Sequence, residues 1–226
     1  FVREQCVDGV ILNSDGLGHL AEVLGELRIP YVFIGNNSYS DDNIVKADVT
    51  GSYRDLVYHL VKDYGYADIL FLVTEPHKTV HQEQVAGLRQ AFDGLAMERS
   101  SQYLEAILSE DTLEGKLQQA LELAGPDLAL IVGREFLDRK VVEFFLLHGI
   151  RIPEDLGLVT YSEIPDTAGF SFLTPTYLKL DTESMGSKAV NLLFDLMAAG
   201  QKKAPVEIAV PLVLVEGETL IDLSTD

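Results

Sequence analysis

Cysteine, tryptophan and basic residues are scarce in this sequence. There is one cysteine, Cys6, and no tryptophan among the 226 residues. A lone cysteine cannot form an internal disulfide, and such usage is typical of a reducing compartment such as the cytoplasm. Lysine and arginine number 17 against 36 aspartates and glutamates, so the formal net charge is −19. Because a chain with this charge repels phosphate backbones over most of its surface, its composition argues against direct binding of nucleic acid.

Long apolar runs and export signals are also absent from the sequence. A membrane-spanning helix needs about 18–20 consecutive apolar residues, and no stretch reaches that length, so we expect no contact with a membrane. The first residues, FVREQC, are typical of the last turns of a helix rather than of a signal peptide. We expect the chain to be a fragment that lacks its natural start, and we expect a cytoplasmic protein.

The sequence contains none of the common motifs for catalysis or cofactor binding. There is no G-x-x-x-x-G-K-[ST], no G-x-S-x-G and no H-E-x-x-H. His77 and His81 have a spacing that occurs in helical zinc sites, but Pro76 precedes them, and we interpret the segment as a solvated loop. We therefore expect no catalytic residues, no metal and no cofactor, and we predict that the chain is not an enzyme.

Apolar strands alternate with amphipathic helices along the chain. Ile69–Val73 and Leu128–Val132 are continuous apolar runs, which are typical of parallel strands buried on both faces. Helical patterns with one apolar face separate them, for example over Val80–Leu95. This order predicts an α/β fold with doubly wound parallel sheets. No glycine- or serine-rich linker divides the chain, so two lobes would have to share crossing strands.

One short stretch, VDGVILNSDGLGHLA, has the outline of a dinucleotide-binding turn. Gly16, Gly18 and Ala21 follow a predicted strand with the spacing G-x-G-x-x-A. In a dinucleotide-binding unit the first glycine directly ends the strand, and an acidic residue ends the next strand. Here polar residues including Asp15 precede the glycine, and the next predicted strand ends at Gly35. We therefore interpret the glycines as parts of a strand-to-helix loop.

Residues 149–166, GIRIPEDLGLVTYSEIPD, resemble a segment of the lactose-repressor (LacI/GalR) family in which a helix ends at glycine and Pro-Glu-Asp leads into a strand. Further blocks resemble the same family in the same order. They are residues 6–12 (CVDGVIL), 29–32 (IPYV), 47–51 (ADVTG), 85–92 (VAGLRQAF), 126–129 (PDLA) and 185–189 (MGSKA). Each block is short, but together they span nearly the whole chain, so the sequence is similar to the effector-binding domain of that family.

The resemblance implies a fold like that of type I periplasmic sugar-binding proteins, with two α/β lobes that flank a ligand cleft. The implied N-terminal lobe contains residues 1–47 and 178–204, and the C-terminal lobe contains residues 48–177 and 205–226. The implied crossings between the lobes lie near residues 47–51, 176–180 and 204–208. The first strand and helix of the N-terminal lobe would lie upstream of Phe1.

The function that the resemblance implies is that of a bacterial transcription regulator, in most cases a repressor. Such a protein would be a homodimer that binds a small-molecule effector, a sugar or a sugar derivative. It would reach operator DNA only through an N-terminal helix-turn-helix headpiece that this chain lacks. The alternative from another class is a periplasmic solute-binding protein of a transporter.

The resemblance also places a set of candidate effector-binding residues. They are Asn13, Gly35, Lys46, Gln84, Arg134 and Ser162. Asn13 keeps a polar type that is common in the family. Gln84 and Ser162 stand where the family has arginine and aspartate, so a bidentate donor and a charged acceptor for sugar hydroxyls are lost.

These departures predict an effector other than a simple neutral hexose. If Arg134 faces the cleft, it would favour an anionic ligand such as a phosphorylated sugar or an acid. Two alternatives remain open. Arg134 could instead point to solvent or pair with a neighbouring acidic residue, and the domain could have lost its small ligand and serve only dimerisation or a protein partner.

Overall fold

The computed structural model describes residues 7–13, 17–35, 42–73, 78–95, 103–105, 110–123, 125–133, 137–162, 173–199 and 204–224. The elements in chain order are β1 (Val10–Leu12), α1 (Gly18–Glu26), β2 (Tyr31–Ile34), β3 (Ile44–Asp48), α2 (Val49–Lys62), β4 (Asp68–Val73), α3 (Thr79–Leu95), β5 (Tyr103–Glu105), α4 (Glu110–Leu123), β6 (Leu128–Val132), α5 (Leu137–Leu147), β7 (Gly157–Ser162), β8 (Thr176–Lys179), α6 (Thr182–Ala199), β9 (Glu207–Pro211) and β10 (Val213–Val215). Among these helices, none has both the length and the apolar character needed to cross a membrane.

The chain forms two compact units. The first unit contains Phe1–Asp48 and Asp181–Pro211, and the second contains Val49–Leu180 and Leu212–Asp226. The predicted lobes change over at residues 178 and 205, whereas these units change over at Asp181 and Leu212. Because β8 pairs with β7 and β9 pairs with β3, the chain changes unit after β8 and again after β9.

The first unit is built on a four-stranded sheet in the order β1-β2-β3-β9, with every neighbouring pair parallel. Helix α6 packs against β1, β2 and β3, and its buried positions recur at helical spacing. They are Met185, Ala189, Leu192 and Leu196. Helix α1 contributes Ala21 and Leu24 to a core cluster with the apolar side chains of the strands. The sheet is therefore covered by amphipathic helices, as its apolar strands require.

The second unit is built on a six-stranded sheet in the order β10-β8-β7-β6-β4-β5. All neighbouring strands are parallel except β10, which runs antiparallel to β8. All five residues of the central strand β6 are buried, as the continuous apolar run predicts. The prediction of an α/β fold with parallel-dominated sheets is confirmed.

One local prediction falls on the contact between α2 and α3. In this contact, Thr50 of α2 donates its hydroxyl to the Glu83 carbonyl of α3 at 3.2 Å. His81, assigned to a solvated loop, lies in α3 and is only 4% exposed, so that assignment is wrong. Helices α2 and α3 pack closely, since a Cβ at Gly87 of α3 would collide with the Thr50 carbonyl oxygen. His77 lies outside the described residues.

Candidate functional site

Two predicted site residues, Asn13 and Gly35, meet at the carboxyl ends of neighbouring strands in the first unit. Parallel β1 and β2 are in register, with Leu12 opposite Phe33, so the residues that follow them share one edge of the sheet. Gly35 has a φ of 104°, a backbone conformation that favours glycine. A Cβ on Gly35 would lie 3.6 Å from Asn13 Oδ1. The Asn13 amide is exposed, so it is placed to accept or donate hydrogen bonds at this edge.

Lys46, a third candidate in the first unit, lies in the middle of β3 rather than at its end. Its Nζ is 3.0 Å from Glu207 Oε1 on the neighbouring strand β9, and the side chains are 29% and 51% exposed. A partly exposed ion pair of this kind contributes little to stability. The structure therefore gives the Lys46 amine a cross-strand partner. The register of β2 against β3, with Ile34 opposite Val45, also places Lys46 level with Gly35.

Gln84 lies in α3 of the second unit and is 1% exposed. Its Nε2 donates to the Tyr53 hydroxyl at 2.9 Å and to the Gly133 carbonyl at 3.0 Å. Gln84 Oε1 is buried and has no hydrogen-bond partner among the described residues. The side chain thus connects α3, α2 and the carboxyl end of β6 through one amide.

Tyr53 and Gly133, the two partners of Gln84, are residues that the sequence did not single out. Tyr53 is fully buried, and its ring packs edge-to-face on Phe71 with the ring centroids 5.8 Å apart. Burial raises the pKa of the Tyr53 hydroxyl, so the phenol is neutral at physiological pH. A Cβ on Gly133 would lie 2.7 Å from Phe71 Cζ, so only glycine fits. A glycine directly after a buried strand was the available signal for Gly133, whereas Tyr53 resembles an ordinary core position.

Ser162 is the last residue of β7 and is 5% exposed. Its carbonyl accepts the Leu180 N–H at 3.4 Å. Since β6 and β7 are parallel neighbours, Gly133 and Ser162 lie at the same, carboxyl edge of the six-stranded sheet. Arg134 lies outside the described residues.

The groups at these strand ends are amides, a hydroxyl and backbone carbonyls, which bind ligands by hydrogen bonding. Within the described part of the chain, no group of three or more histidine, cysteine, aspartate or glutamate side chains is arranged to hold a metal ion. Ligands of open α/β sheets bind outside the carboxyl ends of the strands. The two carboxyl edges, one in each unit, are therefore the candidate sites for a polar small molecule.

Residues 57–220 match the family of periplasmic binding protein-like domains. The match covers most of the chain, and this chain belongs to that family. Parallel sheets covered by helices, with polar groups at the carboxyl ends of the strands, agree with the assignment.

Among solved structures, the fold is similar to several transcription regulators. The complex of the transcriptional regulator CelR with cellobiose is 23% identical with a TM-score of 0.70, and the match covers 95% of this chain and 66% of that one. A LacI family regulator from Enterococcus faecium with bound ribose is 18% identical with a TM-score of 0.73, and the match covers 96% and 81%. The lac repressor dimer bound to operator and the anti-inducer ONPF is 20% identical with a TM-score of 0.71, and the match covers 97% and 76%. This chain thus spans about two thirds to four fifths of these proteins.

Proposed function

We propose that this chain is the effector-binding and dimerisation domain of a bacterial LacI/GalR-type transcription regulator, and that the regulator is a repressor. The observation that carries the proposal is the fold match over 95–97% of the chain to regulators described with cellobiose, ribose or operator DNA. The proposal favours a cytoplasmic, non-enzymatic regulator over a periplasmic solute-binding protein, because the reported neighbours are regulators. The proposed action is a shift between two states when the effector binds.

The proposed effector is a polar small molecule, either a sugar derivative or an anionic metabolite. Asn13 offers an exposed amide at the first unit's carboxyl edge, and Ser162 stands at the second unit's edge. Amides and hydroxyls at the edge of a ligand site recognise hydroxyl groups by paired hydrogen bonds. Arg134, which follows β6 in the sequence, is the proposed partner of an anionic group on the ligand.

A thermal-shift screen tests this part of the proposal. The panel contains cellobiose, ribose, galactose and glucose, with phosphorylated sugars as the anionic arm. A ligand at about 100 times its Kd should raise Tm by about 5–10 °C. Stabilisation by the neutral sugars and none by the anions would contradict the anionic effector.

Asn13→Ala is the first variant to test with any ligand that stabilises the chain. Removing an exposed amide leaves the free energy of unfolding within about 0.5 kcal/mol. Loss of a ligand hydrogen bond should weaken affinity by about tenfold. Unchanged affinity in this variant, measured by calorimetry, would remove Asn13 from the site.

The proposed homodimer uses the exposed apolar end of α5. Leu147 is 85% exposed and Leu146 is 48% exposed. A groove of about 180 Å³ lies between α4 and α5. The groove is lined by Leu113, Glu114, Leu117, Lys140 and Phe144. Because the lining carries one acidic and one basic side chain, a two-fold-related copy can place opposite charges together. We propose that a second copy of this chain covers this surface.

Sedimentation of the Leu147→Glu variant tests the dimer. A charge in an apolar interface should shift the chain toward monomer. Phe194→Glu is the matched control, since Phe194 is 62% exposed on α6 of the first unit. If Phe194→Glu dissociates the dimer and Leu147→Glu does not, the proposed surface is wrong.

DNA binding is proposed to require a headpiece outside these residues. With a net charge of −19, this chain alone should not shift duplex DNA in a gel even at low salt. A gel shift at physiological salt would contradict the proposal that DNA binding requires a separate headpiece.

A further inference from the structure

The amide of Gln84 joins three separate elements of the second unit. It lies in α3, and its Nε2 donates to Tyr53 of α2 and to the Gly133 carbonyl at the end of β6. These partners are 31 and 49 residues away along the chain. Both hydrogens of the Nε2 group are therefore used within the protein.

The orientation of the Gln84 amide is fixed by its partners. If the amide were turned over, Oε1 would face the Gly133 carbonyl, and two acceptors would stand within hydrogen-bond distance without a hydrogen between them. The observed orientation instead leaves Oε1 as a buried acceptor with no partner among the described residues. Such an acceptor is costly in a folded protein and is more common at functional sites than in optimised packing.

We infer that Gln84 is a positioning residue of the effector site. Together with Tyr53 it holds the Gly133 carbonyl, which lies at the carboxyl edge of the sheet directly after β6. The inference rests on the proposed function, and it replaces the predicted role of Gln84 as a residue that contacts the effector.

Burial and geometry both favour positioning over direct contact. Gln84 is 1% exposed, and a ligand could reach either of its donor hydrogens only by breaking the hydrogen bond that it makes within the protein. Gly133 is itself confined, since a Cβ there would lie 2.7 Å from the Phe71 ring and 3.0 Å from Gln84 Oε1. The space that a side chain at position 133 would need is thus occupied by the Phe71 ring and the Gln84 amide.

Hydrogen exchange of backbone amides, followed by NMR in the ligand-free protein, tests the inference. The Gly133 N–H donates to the Leu72 carbonyl at 3.2 Å and reports on the strand end. The Leu130 N–H, in the middle of β6, reports on the sheet as a whole. Gln84→Met keeps the size of the side chain and removes its hydrogen bonds. Tyr53→Phe removes the hydroxyl that accepts one of those hydrogen bonds. Gln90→Met, an exposed position of the same helix, is the matched control.

Gln84→Met should lower protection of the Gly133 amide about tenfold, and Tyr53→Phe should lower it by a smaller factor. Protection at Leu130 should stay within about threefold in both variants, and Gln90→Met should change neither amide. Unchanged protection at Gly133 would overturn the inference. An equal loss at Leu130 would also overturn it, because Gln84 would then support the core in general.

Calorimetry with cellobiose, ribose and inorganic phosphate separates this inference from the proposed function. If one of these probes binds, Gln84→Met and Tyr53→Phe should both weaken it, with a double-mutant effect smaller than the sum. A large loss in Gln84→Met with none in Tyr53→Phe would show direct contact and overturn the positioning role. If no probe binds, the proposed function loses support. The exchange measurement still tests whether Gln84 holds the strand end at Gly133.

Discussion

Gly35 of the first unit and Gly133 of the second both follow a parallel strand, yet they are required for different reasons. Gly35 has a φ of 104°, and among the described residues a Cβ there would meet Asn13 Oδ1 alone, at an ordinary contact distance of 3.6 Å. Gly133 does not have a positive φ, but a Cβ there would collide with the Phe71 ring. Among the described residues, the first strand end is thus open and conformationally constrained, whereas the second is closed and sterically constrained. An open edge can adapt to a ligand, and a closed edge can hold one carbonyl in place.

Of the variants that test this comparison, Gly133→Ala should lower the free energy of unfolding the most. The added methyl group would lie 2.7 Å from Phe71 Cζ and 3.0 Å from Gln84 Oε1, and overpacking of a core costs about 1–3 kcal/mol. Denaturant unfolding gives the free energy. Gly115→Ala, in α4 of the same unit and with no described atom within 4 Å of the added Cβ, should instead stabilise by about 0.5–1 kcal/mol. A Gly133→Ala variant as stable as the wild type would show that the second strand end is not closed.

Gly35→Ala should have a smaller effect with a different cause. The new methyl group has space, so the cost is the left-handed backbone alone, about 1–2 kcal/mol. Gly25→Ala in α1 is the matched control in the same unit, with nothing within 4 Å of the added Cβ, and should be neutral or stabilising. The same unfolding experiment applies. A cost for Gly35→Ala as large as that for Gly133→Ala would remove the distinction between the two strand ends.

The two units also carry different pH-sensitive contacts. In the first unit, burial and the hydrogen bond from the Tyr31 hydroxyl to Asp42 Oδ1 at 2.7 Å raise the pKa of Tyr31 to about 12. A tyrosine with a raised folded-state pKa stabilises the folded protein at pH values below its ordinary pKa of 10. This stabilisation is lost as the pH rises toward 12. We expect Tyr31→Phe to remove this part of the alkaline loss, as followed by chemical unfolding between pH 9 and pH 12. An identical alkaline slope in wild type and Tyr31→Phe would exclude Tyr31 as its source.

The parts of the fold that sequence could predict are those set by local pattern. The apolar run of β6 predicts a strand buried on both faces, and the polar residue after β1 predicts that Asn13 stands at a strand end. Both follow from residues within a few positions of each other.

The contacts that sequence reasoning missed join residues far apart in the chain. Gln84 and Tyr53 each lie in an amphipathic helix, where a buried polar side chain gives no indication of its partner. The pairing of Lys46 with Glu207 depends on the register of β3 against β9, which brings a late segment of the chain back to the first unit. Tertiary contacts of this kind override local patterns, and they decide which polar side chains remain available to a ligand.

The smallest expected effect lies in the second unit, at the turn before β7. Arg151 donates from Nε and Nη2 to Asp155 at 2.9 and 2.6 Å, and these hydrogen bonds lower the pKa of the Asp155 carboxyl to about 2. A carboxyl with a lowered folded-state pKa stabilises the folded protein at pH values above its ordinary pKa of 3.8. This stabilisation is lost as the pH falls toward 2. Because the pair is exposed and screened by solvent, the loss should be slight and should shrink further in high salt. Asp155→Asn should flatten this part of the acid unfolding curve and leave the alkaline slope of Tyr31 unchanged. If Asp155→Asn changes the alkaline slope, the two units do not respond to pH separately, and the contrast between them fails at this point.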